Sequence, residues 1–507
     1  MNKKIYRISK FKVSGIKSIK DKIEIDFLSN PNVINFPYEG NVKAFYGENG
    51  SGKSAIIHSF DILHKLLNDD NYLSSKEGQK TLIELKNKSS NEISLYISYL
   101  IFDFDQDLNT HDTRASRYLD YTVTLSVNKS GQFYISQQCL ERYKQGDIKK
   151  SKKPLYKFQS HEDDVILNES SNLLNQKLQN QILSKSISIL ISDIVEESLP
   201  KIFNSIKAKE KGAKNLEQIV IESLKLDNID AKKFINEMGI YFDISNILLN
   251  ITIFVGDEDR INVVKPSYSK DGLEQFKKAI DTETYSIRYS SLDQYDVDEH
   301  VEFQELLELD MHSNDVYTSR FIIPRESKEK FVRDMNYRTE IIRLFKPEIK
   351  SLAPIYTDIS EKNKFIIANI GFDYGDYVVP LYLESSGTRK LFEFSHSIKH
   401  LFKGGIVIFD ELDSGLHDVI LSRLVEFVSR NCVGQLIFTT HNLAPMSVLE
   451  NKKDSIDFIN RDHEIVKWTK RGNSNAINFY RSGKVKGIPH NISADDFLRI
   501  LGSVESD

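Results

Sequence analysis

Bulk positive charge is missing from this sequence: 68 Lys and Arg stand against 73 Asp and Glu, for a formal net charge of −5. A surface that coats nucleic acid by overall charge is therefore excluded, and any such contact must be local. Cysteine is nearly absent. Cys139 and Cys432 are the only two, far apart and without metal-type spacing, so neither a disulfide framework nor a zinc site is indicated and the compartment reads as reducing cytosol. Long apolar runs are lacking as well. The N-terminus, Met1 to Arg7, has no apolar h-region, and no later stretch approaches the roughly 18 apolar residues of a membrane span. The expectation is a cytoplasmic protein with no membrane partner.

What is present is ample: 507 residues, 40% of them hydrophobic, enough for two to four domain-sized units with cores of their own. Short apolar-polar runs at Ile5–Val13, Ile23–Phe27, Val42–Tyr46, Leu82–Leu85 and Ile93–Phe104 predict strands of a mixed sheet. From about Ser170 to Lys346 the spacing turns helical, in Leu173–Lys207 and Asn215–Gly239, with one strand-like run at Ile251–Val255. No heptad register persists there, which argues against a long coiled-coil arm. Strands return at Lys364–Ile370 and Tyr377–Leu383, followed by a helix opening near Gly387, strand Ile406–Phe409, helix Asp418–Arg430 and strand Gln435–Thr440. That alternation predicts a parallel α/β core. A last short helix is expected over Ala494–Leu501, between Ser493 as N-cap and Gly502 as stop. The predicted division is an N-terminal lobe part over 1–165, a mainly helical insertion over 166–345, and a C-terminal lobe part over 346–507.

The most specific motif is Gly47-Glu48-Asn49-Gly50-Ser51-Gly52-Lys53-Ser54, lying between a predicted strand and a helix that carries Ile56, Ile57, Phe60, Leu63 and Leu67. Glycines at 47, 50 and 52 let backbone N–H groups and the helix N-terminus close around phosphate oxygens. Lys53 then reaches the β and γ phosphates and Ser54 ligates Mg²⁺, so ATP with Mg²⁺ is the expected ligand. The strand Ile406–Phe409 delivers Asp410 and Glu411 at its C-terminal end, where α/β sheets place ligands. Asp410 is suited to holding Mg²⁺, and Glu411 to orienting an attacking water. His441 follows the strand ending at Thr440, within reach of the γ-phosphate or that water. Acidic pairs and single histidines at strand ends are common. Their ordered combination with the phosphate loop is not.

The series of phosphate loop, Glu384-Ser385-Ser386-Gly387-Thr388, Asp410-Glu411, Ser414-Gly415-Leu416-His417 and His441 resembles the ABC-type ATPases of the RecF, SMC and OLD branch, including the ATPase subunits of bacterial anti-phage systems. The opening Phe11-Lys12-Val13-Ser14-Gly15-Ile16-Lys17-Ser18, followed by Ile23 to Phe27, looks like that branch's first hairpin. The resemblance covers roughly 1–165 and 346–445. It implies an α/β, ABC-type ATPase head, a mixed sheet plus a parallel α/β core with a helical interruption. It further implies that Ser385 and Gly387 contact the γ-phosphate held by a second copy, and that Glu411, His441 and Lys53 carry hydrolysis once two heads close. Two positions depart from the family's signature: Ser386 where Gly is usual, and Thr388 where Glu or Gln is usual. The glutamine that couples Mg²⁺ to the other lobe has only candidates, Gln132, Gln137 and Gln138.

Three further features are weighed as solvated surface: Lys149-Lys150-Ser151-Lys152-Lys153 with Tyr156, against contact with nucleic-acid phosphates; Asp293, Asp296, Asp298, Glu299 and His300, against a metal site; and Asp257-Glu258-Asp259, against a nuclease loop. The residues after His441 are too few for the nuclease domain of OLD proteins, so an effector, a nuclease for example, is expected on another chain. The functional expectation is a self-associating ATPase that acts as sensor or motor of an anti-phage system. The alternatives are a RecF-like DNA-binding repair or chromosome-maintenance factor, the energising subunit of a transporter, and an inactive scaffold.

Overall fold

The computed structural model describes residues 3–29, 38–104, 117–144, 156–161, 164–168, 183–191, 193, 195, 198, 201–202, 216–249, 251–254, 320–324, 328–357 and 365–485 except 471 and 473. The chain begins with β1 (Lys3–Ser14) and β2 (Ile23–Asp26), then β3 (Val42–Gly47), α1 (Lys53–Asn68) and α2 (Lys76–Leu85). β4 (Glu92–Phe104), β5 (Arg117–Val127), β6 (Phe133–Lys144), β7 (Tyr156–His161) and β8 (Asp164–Asn168) follow. All of these strands except β3 build one antiparallel sheet in the order β2-β1-β4-β5-β6-β7-β8.

Helices α3 (Leu216–Leu224) and α4 (Asn228–Leu249) lead to β9 (Ile251–Phe254). A second antiparallel sheet combines β10 (Arg320–Pro324), β11 (Ser351–Thr357), β12 (Phe365–Asp373) and β13 (Val378–Pro380), with α5 (Lys328–Arg343) beside it. The last stretch holds α6 (Ser386–Phe402), β14 (Ile406–Phe409), α7 (Asp418–Asn431), β15 (Gln435–Thr439), α8 (Ala444–Leu449), β16 (Ile456–Ile459), β17 (Ile465–Lys467) and α9 (Ala476–Arg481).

The sheet that positions the site has the order β17-β16-β3-β15-β14-β9, parallel throughout except for the edge strand β17. Every residue of β3, β14, β15 and β16 is buried, as expected of parallel strands covered on both faces. The two-residue period divides them between two cores. Val42, Ala44, Tyr46, Val407, Phe409, Leu436, Phe438, Ile456 and Phe458 face α6 and α7, while Phe45, Ile406, Ile408, Ile437 and Ile459 face α1 and the antiparallel sheet. The architecture is the mixed α/β one that the sequence predicts.

Three expectations are corrected in detail. Val42–Gly47 belongs to the parallel sheet rather than to the first mixed one. Leu82–Leu85 is the last turn of α2, because Ser75 caps that helix by accepting a hydrogen bond from Gly78 N and Leu82 and Leu85 then fall on its buried face. Ile251–Phe254 does not stand apart in an insertion: it pairs in parallel with β14 at the edge of the core sheet. The runs Lys149–Lys153, Asp257–Asp259, Asp293–His300 and Ser493–Gly502, and part of Leu173–Lys207, lie outside the described residues.

Polar tethers lock the sheets together. The register of β1 shifts between Ile8 and Lys10. Next to this irregularity, and beyond the reach of the β2 ladder, which begins at Lys10, the Ile8 N–H donates to Gln435 Oε1 at 2.8 Å and its carbonyl accepts from Gln435 Nε2 at 3.0 Å. Arg7, fully buried, donates to the carbonyls of Glu39 and Val433. Asn41 Nδ2 donates to the carbonyls of Val428, Ser429 and Cys432, satisfying the buried C-terminal end of α7. Among the described residues no helix is long and apolar enough to cross a membrane.

Candidate functional site

The phosphate loop leaves β3 at its C-terminal end and enters α1 directly. Gly50 and Gly52 take positive φ values of 80° and 107°, a conformation in which a side chain would be strained. Gly47 is required for a different reason: a Cβ there would lie 2.4 Å from the carbonyl oxygen of Ile459 and 2.6 Å from Ser51 Oγ. The Lys53 ammonium lies across the loop, donating to the carbonyls of Gly47 and Glu48 at 2.8 Å each. Burial lowers its pKa, while Asp410, Glu411, Asp413 and Glu48 act in the opposite sense. Those four carboxylates are therefore near enough to interact with the lysine, and the structure brings the loop and the acidic strand end together.

At the end of β14, Asp410 is buried and Glu411 is exposed, with Glu411 in the left-handed region at φ 49°. A non-glycine residue in that conformation costs on the order of 1 kcal/mol and must be held. Thr439 at the end of β15 holds it. Its buried hydroxyl accepts from Glu411 N at 2.8 Å and donates to Asp410 Oδ1. Sequence reasoning placed Thr439 only as a residue of the strand Gln435–Thr440; the signal for its role, a hydroxyl on the strand beside the acidic pair, becomes meaningful once β14 and β15 are known to be neighbours. His441 follows β15 as an exposed residue whose N–H donates to Asp413 Oδ2 at 3.3 Å.

The hairpin between β1 and β2 contributes a residue that the sequence reading did not assign. Lys17, at φ 46° in the turn, is an electrostatic neighbour of both Asp410 and His58. Burial and then Lys17 hold the His58 imidazole below its usual pKa, against Asp61 and Asp410. Ile19 of the same turn would touch a Cβ on Gly52 at 3.3 Å, so this hairpin packs against the phosphate loop.

Ser385 caps α6, its Oγ accepting from Thr388 N at 3.2 Å and lying 2.8 Å from Thr388 Oγ1. Thr388 Oγ1 also accepts from Lys346 Nζ at 2.7 Å. Gly387 approaches Gly415, so the helix start and the loop after Glu411 are in backbone contact. The glutamine candidates fare differently. Gln138 is fully buried and occupied by Tyr121, Ile187 and Lys185, which makes it a structural tether. Gln132 is exposed in the turn between β5 and β6, and Gln137 is a ladder residue of β6.

The donor set suits Mg²⁺ accompanied by a nucleotide rather than a protein-only metal cage. Among the described residues no cluster of three or more His, Cys, Asp or Glu could hold a metal, whereas Mg²⁺ is usually taken by one or two protein oxygens together with phosphates and water. Asp410 and the half-buried Ser54 supply such oxygens. Ser51 Oγ, Glu48 Oε1 and Asp413 Oδ1 are buried atoms without a hydrogen-bond partner, polar capacity that a bound ligand or water would satisfy.

The sequence family described as "AAA domain, putative AbiEii toxin, Type IV TA system" matches residues 153–447. The matched span includes Ser385, Gly387, Asp410, Glu411 and His441, and the phosphate loop precedes it. No curated protein matches the chain. Among solved structures, the Smc head domain with an extended coiled coil bound to the C-terminal domain of ScpA, derived from Pyrococcus furiosus, aligns at 14% identity and a TM-score of 0.37, covering 99% of this chain and 100% of that one. The Smc head domain with a coiled coil and joint from Pyrococcus yayanosii aligns at 15% identity and 0.40, covering 95% and 100%. Likenesses this low carry no argument, and the fold assignment rests on the strand order and the phosphate loop. Because the family match spans more than half of its length, the chain belongs to this AAA domain family.

Proposed function

We propose that this protein is an ATPase of the ABC-type head class: it binds ATP with Mg²⁺ on Gly47–Ser54 and hydrolyses it when two copies close on each other. The observation that carries the reading is the convergence of Lys53, at the start of the helix that follows β3, with Asp410 and Glu411, at the end of β14 in the same parallel sheet. The loop N–H groups and the start of α1 take the phosphates. Lys53 leaves the Gly47 and Glu48 carbonyls for the β and γ phosphate oxygens, where its charge opposes theirs. Ser54 and Asp410 would hold Mg²⁺, whose charge, when bound, would offset the negative charge of the phosphoryl oxygens. Glu411 orients water and accepts its proton, with Thr439 fixing its backbone, and His441 approaches from the adjoining strand end. Ser385 and Gly387 present the start of α6 to the γ-phosphate on the facing copy, a role supported by the exposure of Ser385 and Ser386.

The biological setting we propose is a bacterial defence system in which this ATPase senses infection and controls a separate effector protein. The family's description as a putative toxin of a type IV TA system supports work alongside a second protein. Purified protein tests the reading. Mg-dependent ATP hydrolysis is expected, lost in Lys53→Ala through binding and in Glu411→Gln through turnover with binding retained. Wild-type protein that neither binds nor hydrolyses ATP would overturn it.

A further inference from the structure

Beside the phosphate loop lies a tight turn between β16 and β17 that no step above uses. Asn460 closes it from both sides: its N–H donates to the Glu464 carbonyl at 3.2 Å, its carbonyl accepts from His463 N at 3.1 Å, and its side chain bonds Glu464 N at 2.8 Å and Glu464 Oε2 at 3.0 Å. His463 is held in the left-handed region at φ 61°. From this turn two side chains reach the loop. Arg461 Nε meets Glu48 Oε2 at 2.6 Å, and His463 Nδ1 meets the carbonyl oxygen of Ser51 at 2.7 Å. The strand beneath belongs to the same arrangement, since Ile459 O is the atom that forbids a side chain on Gly47.

The bond to Ser51 has a directional consequence. The carbonyl of Ser51 and the N–H of Gly52 belong to one trans peptide plane and point in opposite directions. A donor that fixes the oxygen on the outer side of the loop therefore aims the Gly52 N–H at the inner side, where phosphate oxygens bind. Glycine at 52 leaves that plane free to rotate unless something external holds it. His463 approaches to 3.2 Å of the Cβ position of Gly52, which places the ring directly against this peptide.

We propose that His463 is a positioning residue for nucleotide binding, its Nδ1–H holding the Ser51–Gly52 peptide so that the loop presents its phosphate-binding donors. This rests on the ATP reading above. Arg461 contributes less, because it is 66% exposed and its ion pair with Glu48 is solvent-screened. His463 also forms part of the wall of a surface cleft of about 330 Å³, shared with Lys20, Lys22 and Glu24, so replacing it does not open the core.

The test uses two substitutions that both tolerate the left-handed backbone. His463→Gly removes the ring without adding strain, and His463→Asn retains an N–H donor at nearly the same distance along the side chain. Mg·ADP affinity is measured by calorimetry, KM and kcat for ATP by phosphate release, and folding by thermal melting. His463→Gly is expected to weaken Mg·ADP binding and raise KM about three- to tenfold, the worth of one positioned hydrogen bond. Its kcat should fall by less, and its melting temperature should stay close to that of the wild type. His463→Asn should recover most of the lost affinity. A His463→Gly protein with wild-type Kd and KM would overturn the proposal, as would Asn and Gly variants that are equally impaired. Wild-type protein that binds no Mg·ADP would instead overturn the ATP reading, and the role of His463 with it.

Discussion

Gly387 and Gly415 meet backbone to backbone: a Cβ on Gly387 would lie 2.2 Å from the Gly415 carbonyl oxygen, and one on Gly415 would lie 2.8 Å from Gly387 N. Gly415 also takes a φ of 74°. The first turn of α6 is thereby seated on the loop that follows Glu411, and the position of one sets the position of the other. In an ordinary helix Gly→Ala gains roughly 0.5–1 kcal/mol. Here the close approach outweighs that gain. Gly387→Ala should cost about 1–3 kcal/mol in chemical denaturation and impair ATP hydrolysis; a variant more stable than wild type with full activity would contradict the seating.

Thr439 serves Asp410 and Glu411 with one hydroxyl. Thr439→Val keeps the shape but removes both hydrogen bonds, so turnover should drop roughly 10- to 100-fold while nucleotide affinity changes much less. Thr439→Ser should restore turnover. Steady-state kinetics on the two variants decide this, and equal loss in both would show that the hydroxyl is not what matters.

Lys43 and Asp457 form an ion pair at 2.7 Å, 1% and 0% exposed, and Lys43 also donates to the Asp454 carbonyl at 2.9 Å. Burial pushes the Asp457 carboxyl up, and Lys43 opposes that shift. Removing one partner strands the other charge: Lys43→Met should lower unfolding free energy by about 3–5 kcal/mol. The double variant Lys43→Met with Asp457→Leu should regain most of it. Denaturant titration reads both, and a double variant no better than the single would refute the stranded-charge account.

That pair also explains which parts of the fold were legible. The phosphate loop and β14 announce themselves through glycine spacing and an uninterrupted apolar strand, and the opening of α6 through the series Glu384-Ser385-Ser386-Gly387-Thr388. β16 does not: its four residues include Asp457, which looks solvated until Lys43 on β3 is seen to neutralise it. Leu82–Leu85 offers two leucines whose three-residue spacing fits a helix, but the run alone is too short to distinguish a strand from a helix end. Ile251–Phe254 was visible as a strand, but its partner β14 lies more than 150 residues later, and strand pairing at that distance has no local signature. Within the site, Lys53, Asp410, Glu411 and His441 were placed by motif, whereas Thr439, Lys17 and His463 become meaningful only through tertiary neighbours.

A pH dependence follows from the packing of α5 against α6. His396 on α6 accepts from Arg338 at 2.9 Å, and burial, with Arg338 next, pushes its pKa down to about 3, against the pull of Asp334; His400 and Lys399 add to the lowering. Below pH 6.5 the unfolded chain takes up a proton at this histidine that the folded protein refuses, so stability falls by up to about 1.4 kcal/mol per pH unit as pH drops from 6.5 toward 3. Asp334 adds to the acid sensitivity at the lower end: burial raises its pKa, but Arg338 and Lys399 outweigh that and leave it lowered. His396→Asn should flatten the stability profile between pH 6.5 and 4; slopes identical to wild type would contradict the assignment.

The central claim is that ATP joins two copies through a shared site. Light scattering of the purified protein with and without Mg·ATP, on wild type, Glu411→Gln and Lys53→Ala, tests it most directly. The account predicts that Mg·ATP drives a larger assembly, that Glu411→Gln traps it and that Lys53→Ala abolishes it. A wild-type protein that hydrolyses ATP while its mass, and that of both variants, stays constant would contradict the shared site and remove the roles given to Ser385 and Gly387.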